Sequence, residues 1–155
     1  MRPLEPDELE TVIDDLPARP PEKHRERLAQ QERGELVYFV AWDDGSAVGH
    51  GILRWRGRVG YPQLEDLWVL PARRSGGIGN AILDAVERAA ADEGADRLGL
   101  AVAVDNEGAR RLYGRRGYTA TDQAPFLLTY TAWGDDGVPH PVNELSLYLA
   151  KRLSK

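Results

Sequence analysis

Leu64-Glu65-Asp66-Leu67-Trp68-Val69-Leu70-Pro71-Ala72-Arg73-Arg74-Ser75-Gly76-Gly77-Ile78-Gly79-Asn80 is the stretch on which the fold turns. Residues 64–70 read as a strand, stopped by Pro71. A basic, glycine-rich turn follows, and the strongest helix of the chain begins near Gly77. Ile78, Ala81, Ile82, Ala85, Val86 and Ala89 line up at helical spacing as one apolar stripe, and Gly94 ends it. Backbone N–H groups of such a turn converge on one spot, and the helix dipole adds roughly half a positive charge there. Its expected ligand is a phosphate or pyrophosphate, which glycines admit by removing the Cβ from the approach.

Outward from this stretch the pattern stays regular. Residues 35–42 and 47–55 read as strands around Asp43-Asp44-Gly45-Ser46, which is hairpin-turn chemistry. Gly49 and Gly51 thin the second strand, as close approach of another backbone requires. Before the hairpin, Leu9, Val12, Ile13 and Leu16 mark a short helix over residues 5–16. Pro17, Pro20 and Pro21 break it, and a charged helix over residues 22–33 ends at Gly34. Beyond Gly94, residues 97–104 form an apolar strand of the kind covered on both faces. A short helix over residues 106–116 closes at Gly117, and strands over 126–133 and 143–151 flank the turn 134–139. This order gives a single domain, residues 1–155, with a mixed sheet of the α/β or α+β kind.

Composition narrows the function. The net charge of −5 argues against nucleic-acid binding, which needs clustered Lys and Arg. The absence of cysteine removes thiolate metal sites and cysteine nucleophiles. No two of His24, His50 and His140 have metal-ligand spacing, so no metal is expected. The polar, proline-rich start is unlike a signal peptide, and no apolar run approaches the ~20 residues of a membrane span. A cytoplasmic location without membrane contact is the expectation.

Among phosphate-binding turns, a Walker loop would end in Gly-Lys-Ser/Thr where this chain has Ile78-Gly79-Asn80. A dinucleotide fingerprint would need Gly or Ala where Ile82 stands. Arg74-x-x-Gly77-x-Gly79 instead resembles the pyrophosphate signature of the GNAT superfamily of acyl-CoA-dependent N-acetyltransferases. Residues 105–118, with Asn106, Ala109, Tyr113, Gly117 and Tyr118, are similar to a second motif of that family. Residues 1–7 resemble a shortened form of its first strand. The resemblance implies a mostly antiparallel, twisted mixed sheet of about six to seven strands flanked by about four helices.

It also implies chemistry. Arg74, Ser75, Gly76, Gly77, Ile78, Gly79 and Asn80 would bind the CoA pyrophosphate, mostly through main-chain N–H groups. Leu67, Trp68 and Val69 would lie along the pantetheine arm, with the main chain of Leu67 and Val69 pairing with it. The arm would fill a wedge between this strand and residues 97–104, and Asn106 would bond it while also suiting a helix N-cap. Acetyl-CoA, as co-substrate, would acetylate a primary amine by direct attack in a ternary complex. Glu65 would be the general base, directly or through water; the other reading of Glu65 is an ion pair with Arg54 or Arg73. Asp66, on the opposite face by strand alternation, is the weaker candidate base. Tyr113 would be the general acid, and it also suits a core aromatic. Asp43-Asp44 and Asp135-Asp136 read either as turn residues or as charges steering a cationic amine. The amine itself, a small molecule or a peptide, is left open. So is a homodimer, and so is a non-catalytic acyl-CoA-binding or regulatory module on the same fold.

Overall fold

Asp44 and Gly45, with φ of 51° and 82°, turn the chain between β2 (Leu36–Asp43) and β3 (Ser46–Arg54). This left-handed pair is the conformation a tight hairpin asks of an Asp-Gly turn. β1 (Arg2–Pro3) lies outside β2, and β4 (Gln63–Val69) pairs with the other edge of β3. β5 (Arg97–Ala103) follows as a parallel neighbour of β4, and the long β8 (Pro139–Arg152) runs antiparallel to β5. β6 (Thr119–Ala120) and β7 (Phe126–Trp133) share the far side of β8. The computed structural model describes residues 1–154 and gives an eight-stranded sheet, antiparallel except between β4 and β5. Four helices flank it: α1 (Leu9–Asp15), α2 (Pro21–Glu32), α3 (Ile78–Asp92) and α4 (Glu107–Arg115).

Each face of the sheet has its own core. Ile82, Leu83, Val86 and Ala90 of α3 pack against Phe39, Leu53, Leu64, Leu98, Leu100 and Val102. Leu4, Val12, Leu16 and Leu28 pack on the opposite face against Leu36, Tyr38, Val40 and Ile52. Each such fully buried aliphatic side chain stabilises the fold by about 1.5–3 kcal/mol. The fold matches the expectation of a mixed, mostly antiparallel sheet with four helices. The strand beyond the expected number is β6, only two residues long and too short to carry an alternating pattern. The first helix begins as a tight turn over Pro6–Glu8 before α1. Pro21 heads α2 instead of preceding it, because a proline loses nothing where the helix has no partner for its N–H.

Two irregularities shape the middle of the sheet. β4 and β5 meet at one bridge, Gln63↔Gly99, and diverge beyond it. On the other side of β4, Glu65 pairs with Ile52 and Trp68 with His50, so Asp66 and Leu67 together face the single residue Gly51. This is a β-bulge, and Asp66 within it has φ of 47°. The glycines of β3 serve this region. A Cβ on Gly49 would lie 2.8 Å from the Trp68 carbonyl oxygen, the close backbone approach expected. At Gly51 the neighbour is a side chain, with Ile82 of α3 at 2.6 Å.

Candidate active site

The glycine-rich turn leaves β4 at Leu70, makes a tight turn over Pro71–Arg73, and enters α3 at Gly77. Ser75 and Gly77 have φ of 69° and 86°. No side chain caps the N-terminus of α3, and its first intrahelical bond runs from Ala81 N–H to the Gly77 carbonyl. The N–H groups of Ile78, Gly79 and Asn80 therefore belong to the unpaired first turn of a helix. A Cβ on Gly77 or Gly79 would meet nothing within 4 Å, so the turn borders open space. The geometry suits an anion held by main-chain donors.

Arg74 points elsewhere. Its Nε donates to the Val69 carbonyl at 2.8 Å and its Nη2 to Asp135 at 3.0 Å, while the guanidinium lies 5.6 Å over the Trp68 ring. Trp68 Nε1 donates to the same Asp135 carboxylate at 3.1 Å. Asp43 pairs with Arg73. One aspartate of each acidic turn is thus tied to the basic turn, in contacts that are exposed and weak.

At the bulge, the two carboxylates share a face. Strand alternation alone would put Asp66 opposite Glu65, but its left-handed backbone resets the alternation. Leu67 then packs in the α3-side core, and Trp68 with the cluster under α1 and α2. Glu65 accepts from Arg54 Nε at 3.0 Å and from Gln63 Nε2 at 2.9 Å, realising the ion pair with Arg54. Asp66 accepts from Arg19 Nη2 at 2.8 Å and Arg27 Nη2 at 2.5 Å. Burial pushes the Asp66 carboxyl up, but His50 and the two guanidinium groups outweigh it and hold it well below the usual carboxylate range. Under the bulge, His50 is fully buried with its Nδ1 3.0 Å from the Asp66 carbonyl, and burial pushes its pKa down to about 3. A neutral His50 donates there from Nδ1. His24, also fully buried, links the Tyr38 hydroxyl at 2.8 Å to the Leu16 carbonyl at 3.0 Å.

On the other side of the wedge, Asn106 caps α4, its Oδ1 accepting from Ala109 N–H at 3.1 Å. Tyr113 packs edge-on against Tyr118 with ring centroids 5.7 Å apart, against the α3-side core. Burial pushes its pKa up to about 12, so the hydroxyl keeps its proton at neutral pH. Among the described residues the Tyr113 hydroxyl has no hydrogen-bond partner, unlike that of Tyr118, which donates to Glu87 at 2.7 Å. β4, which carries Leu67, Trp68 and Val69, thus runs straight into the turn that leads to the unpaired N–H groups of α3. Arg19, Arg27, His50 and Gln63 join the site without any periodic or motif signal. The only acidic group among the described residues arranged for a cation, Glu5, Asp7 and Glu8, lies in the N-terminal turn, and Arg2 engages its Glu8.

The model of the acetyltransferase (GNAT) family matches residues 6–118, and the chain belongs to that family. It is 36% identical over 116 residues to the uncharacterized N-acetyltransferase YjcF of Bacillus subtilis (strain 168), covering 72% of this chain and 74% of that protein. Its fold is similar to that of an N-acetyltransferase from Staphylococcus aureus Mu50, with a TM-score of 0.74, 15% identity and coverage of 99% and 97% of the two chains. The PaiA N-acetyltransferase of Thermoplasma acidophilum, whose structure is a complex with coenzyme A, superposes with a TM-score of 0.69 at 16% identity over 97% and 96% of the chains. No helix of the described residues is long and apolar enough to cross a membrane.

Proposed function

We propose that this protein transfers the acetyl group of acetyl-CoA to a primary amine within a ternary complex. The observation that carries the proposal is the continuity of two main-chain binding surfaces. The edge of β4 above the Gln63↔Gly99 bridge, which has no strand partner and only the Arg74 guanidinium on its Val69 carbonyl, leads directly to the open N-terminus of α3. A ligand with an amide-bearing arm and a pyrophosphate matches that sequence of donors and acceptors. In the reaction, the amine nitrogen attacks the thioester carbonyl carbon, forming the C–N bond and a tetrahedral oxyanion. Its collapse breaks the C–S bond.

Net, the ammonium loses two protons on becoming an amide. One leaves for solvent, and the other, shed by the nitrogen of the tetrahedral intermediate, makes good the proton that the departing thiolate takes. The amine is almost wholly protonated at pH 7, and Glu65 is the base that accepts its proton, directly or through a water. Arg54 and Gln63 fix the Glu65 carboxylate in place, and Oε1, which accepts only from Arg54, keeps a further acceptor site. Asp66 is unsuited, since a carboxylate held so far below its usual range does not keep a proton near neutrality. Tyr113 is the acid that protonates the departing thiolate. Leu67, Trp68 and Val69 with Asn106 line the pantetheine arm, and the main chain of residues 74–80, rather than the Arg74 side chain, holds the pyrophosphate. A panel of primary amines incubated with acetyl-CoA, reading free CoA thiol, tests the reading. Thiol release that requires both protein and an amine supports it; CoA binding without release by any amine replaces it with a non-catalytic acyl-CoA-binding module.

A further inference from the structure

The face of the sheet that carries Glu65 is covered by α1 and α2 over β2 and β3, but β5 and β8 present a different surface. Tyr148 pairs with Ala101 and Ser146 with Ala103, and a Cβ on Gly99 would lie 2.3 Å from the Tyr148 hydroxyl. Gly99, Ala101 and Ala103 therefore share a face with the buried Ser146 and Tyr148 and, by alternation, with the less buried Glu144. Tyr148 donates to Gln63 at 2.8 Å and Gln63 to Glu65 at 2.9 Å, which ties one end of this face to Glu65. At its other end stand Glu144 and Tyr130, whose hydroxyl donates to Glu144 at 2.9 Å.

The charges on this face are unequal. Glu65 is matched by Arg54, and Asp66 by Arg19 and Arg27. Glu144 is half-buried on β8, and among the described residues it has no Arg, Lys or His partner; its one side-chain donor is the neutral phenol of Tyr130. A carboxylate drawn partly out of water is stabilised by an opposite charge, and the chain supplies none. Burial and Glu144, with Asp66 acting more weakly, push the Tyr130 pKa up to about 12, so the phenol stays a donor that aims the carboxylate.

We infer that Glu144, oriented by Tyr130, is a specificity residue that binds a second cationic group of the acceptor, so that the preferred acceptors are diamines. The inference rests on the acetyl-transfer reading for what is done to the other amine, but its binding half stands separately. Cadaverine, n-pentylamine and 5-aminopentanoate share a five-carbon span and differ only in the distal charge. Wild-type protein with acetyl-CoA should favour cadaverine over n-pentylamine by about 10-fold or more in kcat/KM, with 5-aminopentanoate the poorest, as a charge-assisted contact implies. Glu144→Gln should bring the cadaverine to pentylamine ratio toward one, mainly through a raised KM for cadaverine. Tyr130→Phe should lower it by a few-fold.

Calorimetric titration of cadaverine into wild-type and Glu144→Gln protein is the second arm. Cadaverine binding that depends on Glu144 without thiol release would keep the recognition site and overturn the transfer reading. Equal binding to both proteins, no binding to wild type, or an unchanged ratio in Glu144→Gln would overturn the assignment of Glu144.

Discussion

Replacing Asp66 by Asn removes one charge from the centre of the molecule and little else. Position 66 has φ of 47°, a left-handed conformation that Asn tolerates nearly as readily as any non-glycine residue, so the backbone has no cause to move. The side chains of Arg19 and Arg27 are 10% and 7% exposed and that of Asp66 22%, so the triad counts as buried. Asp66 accepts three hydrogen bonds from the two guanidinium groups. Taking away the carboxylate leaves two buried cations without a counter-charge, a change that costs about 3–5 kcal/mol. For a domain of this size each kcal/mol lowers Tm by about 2–4 °C, which gives a fall of roughly 10 °C at pH 7. The sign of the pH dependence follows from the lowered folded-state pKa. The stabilisation is fully present above the unfolded value of about 3.9 and is lost as pH falls from there through the folded value. Differential scanning calorimetry of both proteins from pH 8 to pH 3 should therefore show a constant gap above about pH 5 that narrows below about pH 4. A gap under about 2 °C at pH 7, or one that widens in acid, would refute the reasoning.

Gly79→Asp places a carboxylate beside the unpaired N–H groups at the start of α3, where it suits the helix but repels an anion; calorimetry should show acetyl-CoA affinity reduced by about 10-fold or more with Tm unchanged or higher. Glu65→Gln should slow acetylation by on the order of 10²–10⁴, with a loss that shrinks at high pH as free amine becomes abundant. A loss equal at every pH would make Glu65 a positioning group. Tyr113→Phe should hold its melting temperature within a few degrees, since the hydroxyl has no protein partner to lose, while turnover falls about 10²-fold at nearly constant CoA affinity. A large drop in stability with turnover intact would mark Tyr113 as core.

The fold was largely legible because its strongest signals are local. The apolar stripe of α3, the Asp-Gly hairpin and the apolar run of β5 each state their own structure. The motif residues around Gly77 and Asn106 likewise announce a helix entry and a cap. The bulge was not legible: a two-residue periodicity assigns Asp66 to the face opposite Glu65, and nothing in Leu64-Glu65-Asp66-Leu67 marks the positive φ that brings both to one face. Its supports are scattered, with Arg19 before α2, Arg27 within it and His50 on β3, and only packing brings them to one carboxylate. Arg27 and His24 sit in a helix that reads as charged, yet both are buried. Glu144 lay hidden for a similar reason, because an unpaired carboxylate is recognised only once its neighbours in space are known.

The single bridge between β4 and β5 makes the sheet two leaves, β1 to β4 on one side and β5 to β8 on the other. Along most of their length the leaves share no backbone hydrogen bonds, and α3, which packs against strands of both, acts as the spine. A chain lying in the gap and bonding both edges would stitch the leaves into one continuous sheet. The molecule is thus built with one strand missing from its middle, and a ligand that completed it would also set how stiffly the two halves move against each other.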